Sequence, residues 1–173
     1  MTHDTPTRDE AIRILEDGRQ AVLSLIERLS DDDFVRPATI GDGDWSAKDL
    51  LGHLTFWKEN ALRSLAQWRA GETYTLHEAY AEDYGVDGVD GLNATDYEAK
   101  ASLSASDIRT QAASVHAELI SALSGISNEE WGRSIADDTW GDELGSVLGG
   151  PSGPFDHTSA HLEDLRTFVE SLA

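Results

Sequence analysis

Residues 44–54 read DWSAKDLLGHL, which has the form of the beginning of a long amphipathic helix. Ser46 and Asp49 are spaced like a capping box, in which two side chains satisfy backbone N–H groups at a helix start. Apolar residues then recur every three or four positions, and Gly71 is suited to end the helix. The members of this stripe are Leu50, Leu54, Trp57, Ala61, Leu65 and Trp68. The pattern predicts a helix from Ser46 to about Ala70.

Three other segments have the same periodicity. One runs from about Thr7 to Leu29 and repeats the capping spacing at Thr7 and Glu10. The others run from about Ser104 to Leu123 and from Pro154 towards the C-terminus, since proline is favoured in a first helical turn. Strand signals are nearly absent. We therefore predict an all-α fold, an up-down bundle of four long helices, in a single domain over residues 1–173.

Two long connections, 72–103 and 126–153, separate these helices, and segments of that length are usually functional lids or hold short helices of their own. We expect short extra helices in both, with residues 76–84 as one candidate. A short internal repeat supports tandem helical hairpins, because SDDDFVR at 30–36 resembles SNEEWGR at 127–133.

Composition restricts the partners. The chain has 33 acidic and 13 basic residues, a formal net charge of −20, and no cysteine. The absence of cysteine excludes disulfides and thiolate chemistry. Such a charge repels phosphate and anionic lipid, so we expect neither nucleic acid nor a membrane surface as partner. The N-terminal MTHDTPTRDE does not resemble a secretion signal and no apolar run has membrane-spanning length, which predicts a cytoplasmic protein.

Histidines provide the candidate site. His53 lies on the same predicted helical face as Trp57, and His157 and His161 lie one turn apart at the head of the last helix. In helical bundles, metal sites are assembled from inward-pointing side chains of facing helices. Three neutral imidazoles leave coordination positions open, as in catalytic sites. We predict that His53, His157 and His161 bind one divalent ion, with Zn²⁺ or Ni²⁺ favoured by an all-imidazole set.

Each of these residues also has a structural explanation. A lone histidine such as His53 is more often a hydrogen-bonded core residue than a ligand, and the pair alone is explained either way. Thr158 replaces the glutamate that a zinc-peptidase motif requires. Asp49 and Asp164 are candidates to accept hydrogen bonds from the ligand imidazoles, although Asp49 also fits a helix cap and Asp164 a plain surface position.

Aromatic side chains beside His53 supply a candidate pocket. Phe56 and Trp57 are expected to form its apolar wall. Aromatic residues at helical spacing are also common in ordinary protein cores, so this interpretation stays open.

The stretches DWSAKDLLGHL and HTSAH resemble the DinB-like superfamily of four-helix bundles, on the residues Trp45, Ser46, His53, His157 and His161. The ending FDHTSAHLEDLRTFVESL is most similar to the ClbS/DfsB branch. The resemblance implies a bundle with a pocket. Related families include thiol-dependent transferases and isomerases that use such an ion. The resemblance to the ClbS/DfsB branch also implies hydrolytic detoxification as an alternative activity.

Three functions of different classes follow. The first is a metal-dependent enzyme of the detoxification or stress type, a transferase or hydrolase acting on a small molecule with a low-molecular-weight thiol, with no catalytic residue assigned. The second is a binding bundle that sequesters a small molecule without metal or turnover. The third is a structural dimer with core histidines. We also expect a homodimer, because the first helix has a second apolar stripe at Ile14, Ala21 and Leu25.

Overall fold

The computed structural model describes residues 6–41, 43–72, 88–133, 144–145 and 157–172. In chain order, the helices with defined bounds are α1 (Arg8–Ile26), α2 (Asp31–Phe34), α3 (Ala47–Ala70), α4 (Gly88–Lys100), α5 (Ala105–Ser124), α6 (Asn128–Trp131) and α7 (His157–Ser171). Within these ranges β pairing is limited to one isolated antiparallel bridge, between Ile40 and Trp45. The prediction of an all-α fold is confirmed.

The first two long helices begin where local chemistry predicts, and α3 also ends there, whereas α1 ends at Ile26 rather than at the predicted Leu29. The Thr7 and Ser46 side chains cap α1 and α3, and Glu10 and Asp49 complete a capping box at each. Gly71 ends α3 in the left-handed region, at φ 73°, which costs little without a Cβ. The predicted start of the last helix at Pro154, and the candidate helix at 76–84, lie outside the described residues.

The short internal repeat corresponds to two similar short helices. Ser30 accepts a hydrogen bond from the Asp33 backbone at the start of α2, and Ser127 accepts the equivalent bond at the start of α6. Each helix ends in a buried aromatic residue, Phe34 or Trp131. Helices α4 and α6 therefore fulfil the expectation of extra helices in both long connections.

The chain divides into two compact units, with one boundary after α1 and the other within α5. One unit comprises Met1–Arg28 and Ala117–Ala173, and the other comprises Leu29–His116. In the first unit α1 packs against α7, and in the second α3 packs against α2 and α4. The single domain over 1–173 stays a prediction.

Helix α1 approaches α7 closely at a glycine. A Cβ atom at Gly18 would lie 3.3 Å from both Cβ and Cγ2 of Thr158, so the Thr158 side chain would have to give way by a few tenths of an ångström. This contact positions the first turn of α7, which carries His157.

The distribution of apolar residues is relevant to two predictions, the homodimer and the lack of a membrane-spanning segment. In the second stripe of α1, Ile14 is exposed but Leu25 is buried, so the stripe is not a continuous exposed face. The homodimer stays a prediction. Among the described helices, none combines the length and hydropathy needed to cross a bilayer.

Candidate functional site

His157 and His161 form a close pair on α7. Their ring centroids are 4.9 Å apart, the rings are inclined at 67°, and both residues are partly buried. Burial, and after it the charge of His161, lowers the pKa of His157 to about 4. Burial also lowers the pKa of His161, while the Asp164 carboxylate opposes that shift. Both imidazoles are therefore neutral near pH 7, the form in which a ring nitrogen can bind a metal.

His53 is buried in α3, with 5% of its surface exposed. The Trp45 ring centroid is 4.8 Å from that of His53, and the Trp57 ring meets it edge-on at 6.3 Å. His53 belongs to the second unit and the histidine pair to the first. Each of the three residues can offer an imidazole nitrogen to a metal ion. That all three bind the same ion stays a prediction.

Asp49 is held by the helix cap. Its Oδ2 atom accepts hydrogen bonds from the Ser46 backbone nitrogen at 2.9 Å and from Ser46 Oγ at 2.6 Å. The sequence allowed both a cap and a partner for His53, and the structure shows the cap. Whether Asp49 and Asp164 also orient imidazoles stays a prediction.

A small cavity lies between α3 and α4, within the second unit. Its volume of about 10 Å³ is room for about one water molecule. The Trp45 and Tyr97 rings stack in parallel beside it, at 6.1 Å. It is lined by Trp45, Lys48, Asp49, Gly52, His53, Asn93, Asp96, Tyr97, Lys100 and Ile108.

Phe56 and Trp57, the predicted pocket wall, are not among the residues that line this cavity. Their rings pack edge to face at 5.6 Å, and Trp57 is buried. The residues that α4 brings to the cavity were missed by the sequence prediction. The signal that could have found them is the pairing of Asp96 with Lys100 at i, i+4, which is typical of a helix.

Lys100 joins α4 to α3. Its Nζ donates to the Gly52 carbonyl at 3.1 Å and to Glu59 at 3.2 Å, and it lies 2.9 Å from Asp96. Burial raises the pKa of Asp96, while Lys100 opposes that rise. Glu59 also accepts a hydrogen bond from Gln111 on α5, at 2.7 Å. With three acceptors around three donor hydrogens, Lys100 serves as a structural clamp.

One face of α3 is both polar and buried. His53, Trp57, Asn60 and Ser64 follow each other at helical spacing, and all four are buried. Both polar atoms of the Asn60 amide, and Ser64 Oγ, have no hydrogen-bond partner within the described part of the chain.

The fold and the histidines define an all-α protein with a candidate metal centre. Residues 14–165 match the DinB superfamily, and the chain belongs to that superfamily. The predicted resemblance is confirmed. A comparison with curated protein sequences gives no match.

Three solved structures are similar to this chain. An uncharacterised protein from Escherichia coli UTI89 is 14% identical, with a TM-score of 0.80 over 99% of this chain and 98% of the other. The colibactin self-resistance protein ClbS, in complex with a dsDNA, is 16% identical, with a TM-score of 0.71 over 93% and 96%. DfsB, a sibling lethal factor precursor, is 15% identical, with a TM-score of 0.64 over 95% and 91%. At these identities the similarity shows the fold.

From the net charge we predicted that nucleic acid is no partner, and this prediction is wrong. ClbS has this fold and was solved with duplex DNA bound. The net charge is a poor guide because electrostatic interactions act over a short range, with a Debye length of about 8 Å at physiological salt. A net charge of −20 describes the chain as a whole, whereas binding depends on the charges at one local surface.

Proposed function

We propose that this chain is a metal-dependent enzyme acting on a small molecule, in which His53, His157 and His161 hold one divalent ion, Zn²⁺ or Ni²⁺. The observation that carries the proposal is the histidine pair of α7. Its two imidazoles are one turn apart, and burial lowers the pKa of both, that of His157 to about 4. An all-nitrogen set of neutral imidazoles suits these two ions.

Each residue has a defined part in this proposal. The pair on α7 provides two ligands from one helical turn, and His53 provides a third from a buried position between aromatic rings. The negative charge of Asp164 near His161 favours a bound cation. The ion, when bound, would act as a Lewis acid and lower the pKa of a bound water or thiol. The tryptophans beside His53 exclude water from that side of the site.

The reaction class we propose is detoxification, either transfer to a low-molecular-weight thiol or hydrolysis. The description of ClbS as a self-resistance protein supports a protective role. A bundle that binds a small molecule without metal or turnover is the competing function. Duplex DNA belongs among the ligands to be tested, because a relative with this fold binds it.

Metal binding is tested by thermal unfolding of untagged protein, with elemental analysis of the same preparation. We expect saturating Zn²⁺ or Ni²⁺ to raise the Tm by about 5–10 °C at a hundredfold excess over Kd. His53→Ala, His157→Ala and His161→Ala should each lose most of this increase. His116→Ala is the matched control, since it removes another buried histidine, one outside the proposed ligand set. It should lower the Tm and keep the response to metal.

A wild-type Tm that responds to neither ion near neutral pH would contradict the metal site. Enzyme and binding protein are separated by turnover of the loaded protein. The assays are the displacement of chloride from 1-chloro-2,4-dinitrobenzene by cysteine or glutathione, and the hydrolysis of p-nitrophenyl acetate to acetate and p-nitrophenol. Acceleration by the wild type that His161→Ala lacks supports an enzyme, whereas metal binding without turnover of any tested substrate favours the binding protein.

A further inference from the structure

The unpartnered polar atoms on α3 form a defined row. Asn60 and Ser64 follow His53 by seven and eleven residues. At about 100° per residue, both side chains leave the helix within about 20° of the direction of His53. At about 1.5 Å per residue, Asn60 lies about 10 Å further along the helix axis. The row therefore continues the face that carries the proposed metal ligand.

The burial of Asn60 needs an explanation. Asn60 is 1% exposed, and its amide has two donor hydrogens and an acceptor oxygen, without a partner for either polar atom within the described residues. An unpaired buried amide is destabilising, and most buried polar groups in proteins are paired. Thr55, on the opposite face of α3, follows the rule, because its Oγ1 donates to the Leu51 carbonyl at 2.7 Å.

We infer that Asn60 and Ser64 recognise the substrate, and that the group they recognise is an amide, lactam or urea. Such groups offer a donor and an acceptor side by side, which is the arrangement that pairs with both atoms of the Asn60 amide. The Ser64 hydroxyl adds one further donor or acceptor. Phe56 and Trp57 on neighbouring positions supply apolar surface for the remainder of the ligand.

The inference rests on the proposed function, since it places the recognised group about 10 Å along α3 from His53. It predicts a substrate whose amide-like group is separated from the reacting atom by a distance of that order.

The test uses three aromatic probes that differ in one group: benzamide, acetophenone and benzoate. Their binding to the full-length protein is measured by saturation-transfer NMR. We expect benzamide to bind at least about tenfold more tightly than acetophenone, which lacks the donor, or benzoate, which lacks the donor and carries a charge. Asn60→Leu should lose this preference, and Ser64→Ala should weaken it.

Thr55→Val is the matched control, because it also removes a buried polar group from α3, and benzamide binding should be unchanged. A second measurement guards against misfolding. Since Asn60→Leu removes unpaired polar atoms, its Tm should equal or exceed that of the wild type, whereas removal of a structurally required amide would lower it.

Wild-type benzamide affinity in Asn60→Leu, or equal binding of benzamide and acetophenone by the wild type, would overturn the inference. Metal binding is measured in a separate experiment, by thermal unfolding with and without Zn²⁺. Asn60→Leu should keep the Tm increase with Zn²⁺ that His53→Ala loses. A benzamide preference without any Tm response to Zn²⁺ or Ni²⁺ would leave the amide site standing and remove the metal function.

Discussion

As the pH falls, the folded protein takes up a proton at His157 later than the unfolded chain does. Burial holds the pKa of His157 at about 4, whereas an unfolded histidine titrates near 6.5. Between these values the unfolded state binds more protons, so the free energy of unfolding decreases as the pH falls through this window. Above about pH 6.5 both states are neutral at this residue, and the effect is absent.

This predicts a measurable difference between the wild type and His157→Gln in metal-free buffer containing EDTA. The wild type should lose stability from pH 6.5 to pH 4 with a slope of up to about 1.4 kcal/mol per pH unit from this residue. The variant should lose less, because the remaining dependence comes from His161 and other groups. Urea unfolding at pH 7, 5.5 and 4.5 measures both slopes, and parallel slopes would refute the assignment.

Lys100 predicts a second effect at the scale of one side chain. Lys100→Met leaves Asp96 and Glu59 partly buried without their cation, and the free energy of unfolding should decrease by about 3 kcal/mol. Arg13→Met is the control, because the Arg13–Glu10 pair is exposed at 4.0 Å and should contribute at most about 1 kcal/mol. Equal losses in the two variants, measured by urea unfolding, would show that Lys100 is no clamp.

The sequence predicted part of the candidate site at this scale. The spacing of His157 and His161 is enough to place them together, because one helical turn fixes their separation. Asn60 could not be identified in the same way. Helical spacing places it on the face of His53, but the lack of a hydrogen-bond partner for its amide among the described residues depends on packing between elements, which no local pattern encodes.

At the scale of helices, the sequence predicted boundaries wherever a cap fixes them. The capping boxes at Thr7 and Ser46 consist of residues three apart, so their geometry is determined locally. The bounds of helix α4 were not predicted, although an extra helix in this connection was, because Gly91, Asn93 and Thr95 are weak helix formers and its position depends on the Lys100 contacts with α3.

The end of α3 gives a prediction at this scale. Gly71→Ala forces an alanine into the left-handed region and should destabilise the protein by about 1 kcal/mol. Gly43→Ala is the control, since a Cβ at that exposed glycine meets no atom within 4 Å and Gly43 is not among the described glycines with positive φ. It should be neutral. Thermal unfolding of the pair compares them, and a silent Gly71→Ala would argue against the cap.

At the scale of the whole molecule, the charge of −20 predicts a strong dependence of stability on salt. Like charges repel in the compact state, and raising the ionic strength from 0.01 to 1 M shortens the Debye length from about 30 to about 3 Å. The midpoint of urea unfolding should therefore rise with NaCl at pH 7. At pH 4, where many carboxylates are protonated, the rise should be much smaller. A midpoint that is independent of salt at pH 7 would contradict a dominant role for self-repulsion.

The fold class could be predicted from the sequence, whereas the binding partner could not be predicted from the net charge. The all-α class follows from periodicity, because the apolar spacing of each segment is a local property. Partner choice does not follow from a summed charge, and a protein with this fold, ClbS, was solved in complex with a dsDNA. A handful of basic side chains on one surface can act within a Debye length regardless of the acidic residues elsewhere.

The aromatic surroundings of His53 have an optical consequence. The Trp45 and Trp57 ring centroids are 4.8 and 6.3 Å from that of His53, so two of the five indoles lie within quenching range of anything bound at this imidazole. Ni²⁺ is paramagnetic and quenches indole emission at short range, whereas Zn²⁺ is a closed-shell ion and does not. Binding of Ni²⁺ at His53 would therefore decrease the intrinsic tryptophan fluorescence, whereas binding of Zn²⁺ would leave it unchanged. A Ni²⁺ titration followed by intrinsic fluorescence, with Zn²⁺ as the control, therefore reports on ion binding near His53 without an added dye.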